Sequence, residues 1–371
     1  MRASQHFSLL ISFAITPAIA IAQESVTDTR PSIAPDIRED DTKLKLQRGD
    51  VVIVPIPISN PTLGSGLVLG GAYFYSQTEE QKKTQPASVT GAAGVYTDNN
   101  SRAFTLIQQN YWNQNKWRFT GAAGAADLRL SLIAPEDVST SSVDWRIRGE
   151  FVFARLSRKI SGNWYGGGTL RFADIAQDIE TTVQSNDFDT SPDVRAAGLG
   201  ATVEYDSRDM PLNSYSGRYF KVETLFNDEA VGSSQTYQSY NLAYNSYHAV
   251  ADNLTVAWEF QGCQRVGGAP LWDACRINLR GFAATDYLGK VSTSAQIEAR
   301  WRVSERWGLV GFAGAGQVSR SFSESEDRSL IPSYGVGLRF MVSKAKRVNM
   351  RLDFARSQDS DAIHFSVGEA F

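Results

Sequence analysis

From Val51 to Phe371 the chain alternates apolar and polar positions with a period of two. Between Val348 and Phe354 the even positions are Val348, Met350, Leu352 and Phe354, and the odd ones are Asn349, Arg351 and Asp353. Leu254, Val256, Trp258 and Phe260 interleave with Thr255, Ala257, Glu259 and Gln261. Ile297, Ala299, Trp301 and Val303 interleave with Gln296, Glu298, Arg300 and Arg302, and Trp145, Ile147, Phe151 and Phe153 with Arg146, Arg148 and Glu150. Successive strand residues face opposite sides of a sheet, so each segment presents one greasy face and one charged face. About sixteen such segments can be counted, from 51–59 and 64–77 at the start to 347–356 and 362–371 at the end.

The connections alternate in length. Asn113-Gln114-Asn115, Ser161-Gly162-Asn163, Ala251-Asp252-Asn253 and Ser304-Glu305-Arg306 are tight turns, whereas 176–193, 266–289 and 320–332 are long. Transmembrane barrels keep short turns on the periplasmic side and long loops outside, with an apolar belt facing lipid and aromatic girdles at both interfaces. In lipid only helices and closed barrels satisfy every backbone group, and no segment reaches 18 consecutive apolar residues. The expected fold is therefore all-β: a transmembrane antiparallel β-barrel of about sixteen strands, with an inward-folded long loop between the eleventh and twelfth. By the same logic the arginines and acids of every strand, those of 143–158 included, are expected to line a wet lumen.

Composition fits this architecture, with Trp 8, Tyr 14, Phe 19 and Gly 30, and a formal net charge of −3 argues against nucleic acid as a partner. Residues 1–22 have the order of a secretory signal: Arg2, the apolar stretch Phe7–Ile15, then Ala20-Ile21-Ala22. Residues 23–50 form a polar lead-in on the periplasmic side, and 51–371 the barrel. The expected location is the outer membrane of a Gram-negative cell.

The first strand contains Pro55 and Pro57, two positions apart, so both missing N–H groups fall on one edge. If that edge meets the last strand, the closing seam is weak; the alternative is that both prolines face solvent near a bulge. The last strand is expected to run through Phe365 and Val367 to Phe371, with Glu369 as an unusual polar residue near its end. Cys263 and Cys275 are the only cysteines, and an even pair in an exported chain points to a disulfide. Reduced or metal-bound thiols are the alternative.

Five stretches in order give a resemblance: Pro61–Gly71, Glu204-Tyr205-Asp206-Ser207-Arg208-Asp209 leading to Gly217, Leu279-Arg280-Gly281-Phe282, Ile297-Glu298-Ala299-Arg300 and Phe312–Gly316. Together they resemble the barrel of the bacterial surface antigen superfamily, which includes outer-membrane assembly factors and two-partner secretion transporters. The resemblance implies that Arg280 enters the lumen and pairs with acids on neighbouring strands. Glu298 is the partner expected, and Gly314 stands where a second acid would be, which leaves the pair resting on Glu298 alone. Members of that group carry polypeptide-transport-associated domains before the barrel, and residues 23–50 are too short for one. A periplasmic or outer-membrane partner protein is expected in their place.

Asp206, Arg208 and Asp209 read as charged chemistry of a periplasmic turn rather than as catalytic carboxylates. After the signal only His248 and His364 remain, without metal-ligand spacing, and no nucleophile elbow or phosphate loop occurs. No cofactor, metal, small-molecule substrate or catalysis is expected; outer-membrane lipid is an expected partner. The function expected is outer-membrane biogenesis or transport of protein or lipid, with a passive pore or structural surface antigen as the alternative.

Overall fold

The structure, a computed structural model, describes residues 49–60, 64–132, 143–179, 193–210, 213–282, 285, 287–319, 329–344, 347–358 and 361–371. The signal of residues 1–22 and almost all of the lead-in lie outside them.

The strands are β1 (Asp50–Asn60), β2 (Gly64–Phe74), β3 (Val89–Thr97), β4 (Arg102–Trp112), β5 (Trp117–Leu132), β6 (Val143–Ser161), β7 (Trp164–Ile179), β8 (Asp193–Asp206), β9 (Gly217–Asn227), β10 (Tyr237–Ala251) and β11 (Leu254–Gly267). Two short strands follow in the long loop, β12 (Cys275–Arg276) and β13 (Leu288–Gly289). The wall resumes with β14 (Val291–Arg302), β15 (Trp307–Ser319), β16 (Ile331–Ser343), β17 (Val348–Ser357) and β18 (Asp361–Val367). All but β12 and β13 form one 16-stranded sheet in which each strand pairs with the next, β11 joining β14 directly. The sheet curls into a nearly closed barrel. β1 and β18 adjoin, but the hydrogen-bonded order does not join them.

Alternation decides what faces lipid. Leu67, Leu69, Phe104, Leu106, Leu170, Leu199, Trp258, Phe260, Leu309, Val336 and Phe354 are exposed on the outside. Trp112, Trp164, Trp301 and Trp307 flank the tight turns and make an aromatic girdle at the periplasmic interface. On the opposite parity Thr255, Glu259, Gln296, Glu298, Arg300, Arg351 and Asp353 are buried in the interior.

Three features depart from the sequence reading. A short helix, α1 (Glu79–Thr84), caps the β2–β3 connection, started by a capping box between Thr78 and Gln81. In β6 the parity is reversed. Val152, Leu156 and Ile160 are exposed to lipid, so Arg146, Arg148 and Glu150 point outward with them, and Trp145 is buried inside with Leu128 and Leu130. The cause is the long loop, whose Leu271 and Trp272 pack on that cluster, together with the length of β6, whose outer end extends past the apolar belt. Finally, the last strand stops at Val367 rather than continuing to Phe371.

Candidate functional site: the inward loop

The loop between β11 and β14 leaves the wall at Gly267, which has a φ of 94°. Cys263 at the end of β11 and Cys275 in β12 are joined by a disulfide that ties the descending arm to the wall. β12 pairs with β13 through Cys275↔Gly289 and Arg276↔Leu288, closing the loop into a ribbon. Between them the segment Ile277–Phe282 runs into the barrel. Ile277, Leu279 and Phe282 form an apolar cluster with Ile331, and Tyr287 meets the Phe282 ring edge-on at 5.8 Å.

Arg280 projects from this apolar tip into a cage of acids. Its Nη2 pairs with Glu298 and its Nη1 with Asp353 at 2.9 Å; its Nε donates to Gln296 at 2.8 Å. The guanidinium lies 3.4 Å from the centroid of the Phe312 ring, and Ser333 donates to the Arg280 carbonyl. Glu298 and Asp353 are fully buried. The second acid is therefore Asp353 of β17, not a residue at Gly314, which sits opposite Gln296 in the β14–β15 ladder. Asp353 fits because Gly337 faces it: a Cβ there would lie 2.0 Å from an Asp353 oxygen. Gly281 is required for another reason. Its φ of 96° is left-handed, its Cβ would press on the backbone of Arg356 and Ser357, and its N–H donates to His364 Nε2 at 3.4 Å.

The cage continues toward the periplasm through shared acids. Glu298 also accepts from Arg300, and Asp353 from Arg339. Arg339 donates to Glu369 at 2.7 Å, and Asn349 donates to the same carboxylate at 2.5 Å. This accounts for Glu369. After Val367 the chain turns at Gly368, with a φ of 95°, and enters the lumen. Arg300 donates to the Phe371 carbonyl at 2.9 Å, and the Phe371 ring lies 6.4 Å from Tyr247. Phe371 is thus a lumen residue, and the expectation that it forms the seam is corrected. The physical reason is the Glu369 carboxylate, which finds two cationic partners and an amide inside and would find lipid outside.

A second anchor holds the loop to the far wall. Asp273, in the single 3-10 turn Leu271–Asp273, accepts from Arg171 at 2.7 Å, Tyr237 at 2.8 Å and Arg265 at 3.1 Å. Its carbonyl accepts from Arg265 Nε at 2.8 Å. Burial alone would raise the pKa of this carboxyl. The charges of Arg171 and Arg265 and the bonds from Arg171 and Tyr237 outweigh it and hold the group well below the usual carboxylate range. With Trp272 packed on Leu128 and Trp145, and Ala269 against Ala196 and Tyr237, the loop reaches from the β5–β10 wall across to β14–β17.

Asp206, Arg208, Asp209 and Gly217 make the β8–β9 connection. Arg208 forms a two-bond pair with Asp206 at 2.9 and 3.0 Å and lies over the Tyr219 ring. Asp209 accepts from the N–H groups of Tyr215 and Ser216 and pairs with Arg347, between β16 and β17, at 2.6 Å. Tyr215 is held between Arg302 and Arg347, 4.1 and 4.2 Å from its centroid. Gly217 has a φ of 101° and leaves no room for a Cβ beside the Ser207 carbonyl. The turn therefore extends beneath the barrel to the β14–β17 side. At the seam, β1 pairs with β2 along its whole length, Pro55 opposite Leu69 and Pro57 opposite Leu67. Among the described residues no group of three or more His, Cys, Asp or Glu side chains is arranged to hold a metal ion.

An Omp85 superfamily domain matches residues 61–371. The chain belongs to the Omp85 superfamily. Three solved structures share the barrel fold. BamA from Haemophilus ducreyi lacking POTRA domains 1-3 is 13% identical, with a TM-score of 0.58, over 87% of this chain and 70% of that one. CdiB from Escherichia coli is 11% identical, TM-score 0.58, over 86% and 62%. CdiB from Acinetobacter baumannii is 14% identical, TM-score 0.57, over 87% and 60%, so the chain spans less than two thirds of either CdiB. No curated protein sequence matches it. As an Omp85-superfamily barrel the chain is a β-barrel protein of the outer membrane.

Sequence reasoning missed Gln296, Asp353, Arg171, Tyr237 and Asp273. Parity alone put Gln296 and Asp353 inside, beside Glu298 and Arg351, and could have nominated both. Nothing local to Leu271–Asp273 announced that its acid would meet β7.

Proposed function

We propose that this Omp85 barrel handles a protein or lipid client at its seam, with the inward loop keeping the lumen closed meanwhile. The observation that supports this most is the pairing of a loop anchored on two facing walls with a β1–β18 junction outside the hydrogen-bonded order. An edge strand with unpaired backbone groups is a template for another chain, and β1 offers a hydrophobic one, with Val51 and Ile53 exposed. Residues 1–22 act as the export signal, 23–50 as a periplasmic lead-in, and a partner protein delivers the client. No chemistry on a small molecule is involved.

A photo-crosslinking residue at Val51 or Ile53, used in the native envelope, tests this reading. Adducts with a polypeptide or lipid client that compete with excess client are the expected result. Adducts with bulk phospholipid only, together with stable large single-channel conductance from the intact protein, would instead favour a passive pore.

A further inference from the structure

The reversed parity of β6 leaves an unusual band on the outer surface. On β4–β8 the lipid face changes from apolar to charged within one pair of residues. Phe104 sits opposite Ala125, and Val152 opposite Phe172. One step toward the long loops Arg102 is opposite Asp127, Glu150 opposite Asp174 and Asp174 opposite Arg195. Arg129 and Arg146 are paired in the ladder beside them, with Asp178 next. On the β14–β17 side the described outward residues at the outer strand ends include Thr293, Gln317 and Tyr334, with the pair Arg356–Asp361 at 3.4 Å.

At the band lies a cavity of about 680 Å³, lined by Asn99, Asn100, Arg129, Asp144, Arg146 and Asp178. Arg146 is held by Asp127 at 2.8 Å and Arg148 by Asp178 at 2.9 Å. Arg129 has no carboxylate within ion-pairing distance among the described residues and reaches only the Asn99 carbonyl, at 3.5 Å.

We infer that this cavity binds the phosphorylated sugar headgroup of an outer-leaflet glycolipid, whose acyl chains lie on Phe104, Val152, Phe172 and Leu199 below. Guanidinium groups pair with phosphate through two parallel bonds, and Arg129 and Arg146 are the donors. The Asn99 and Asn100 amides, Asp144 and Asp178 suit sugar hydroxyls. The height is right as well, since the charge begins where the apolar belt ends. This site is separate from the seam and does not depend on the proposed client.

The test uses the full chain in detergent, with native mass spectrometry counting retained lipid. The probes are a diphosphorylated glucosamine-disaccharide glycolipid, phosphatidylglycerol and soluble glucosamine 6-phosphate. Wild type is expected to retain the glycolipid in preference to the other two. Arg129→Gln with Arg146→Gln should weaken retention about tenfold or more, whereas Arg356→Gln on the other wall should leave it unchanged. Heat-modified gel mobility reports folding; if the glutamine pair fails to fold, the lysine pair should fold and show a smaller loss. Undiminished retention by the folded double variant would overturn the proposal. Equal retention of phosphatidylglycerol would overturn it too, and so would glucosamine 6-phosphate binding as tightly as the glycolipid.

Discussion

Two attachments of opposite sign hold the inward loop. At its tip a loop cation, Arg280, sits among wall acids, Glu298 and Asp353. Ahead of the tip a loop anion, Asp273, sits among wall cations, Arg171 and Arg265. The first is framed by Phe312 and apolar side chains, and the second by the Tyr237 hydroxyl, which donates to Asp273, and the Asn227 amide oxygen, which accepts from Arg171. Both are buried, so each charge depends on its partners and removal of one member strands the rest. The contrast shows how a loop can be fixed without a hydrogen-bonded ladder: its two charges meet their complements on facing walls, and reversing either one would repel it.

The largest effect should come from the tip. Arg280→Ala strands two acids and is expected to destabilise the barrel by about 3–5 kcal/mol, read as a lower unfolding temperature in heat-modified mobility. Adding Glu298→Ala should cost less than the sum of the single changes; strict additivity would deny the coupling. Removal of the Cys263–Cys275 bridge closes off a smaller contribution, about 3 kcal/mol in the chain-entropy description. It should loosen the Asp273 arm in limited proteolysis more than the Arg280 tip.

Asp273→Asn keeps the shape but weakens bonds to two guanidinium groups, with a loss of about 1–3 kcal/mol. Equal protease resistance in the variant would mean that this attachment is redundant. The smallest effect concerns acidity. The Asp273 carboxyl is held below its ordinary range, so its stabilisation is fully present above the unfolded carboxylate value of about 3.9 and is lost as pH falls through the folded one. Loop proteolysis should therefore be flat from about pH 8 to pH 4 and increase only under stronger acid.

Much of this was legible in the letters. Period-two alternation specified the strands, and turn lengths specified which end faces the periplasm. Glu298 was legible because its parity with Gln296 and Arg300 and the Leu279–Phe282 motif pointed to one place. Asp353 was less so, because its contact with Arg280 depends on how deep the loop descends, which no local pattern encodes. Trp145 misled for a related reason: alternation says that two faces differ, and only the packing partner, here Trp272, says which is inside. Phe371 misled because a lone carboxylate two residues earlier, Glu369, redirected the chain.

The β8–β9 connection has a mechanical meaning. Asp209 and Tyr215 grip Arg347 and Arg302, which stand at the feet of the strands leading to the seam. A wall that swings outward at β18 must first let go at that floor. The strap thus sets a threshold for gaping, and its strength depends on an exposed ion pair and two stacked guanidinium groups that salt would weaken.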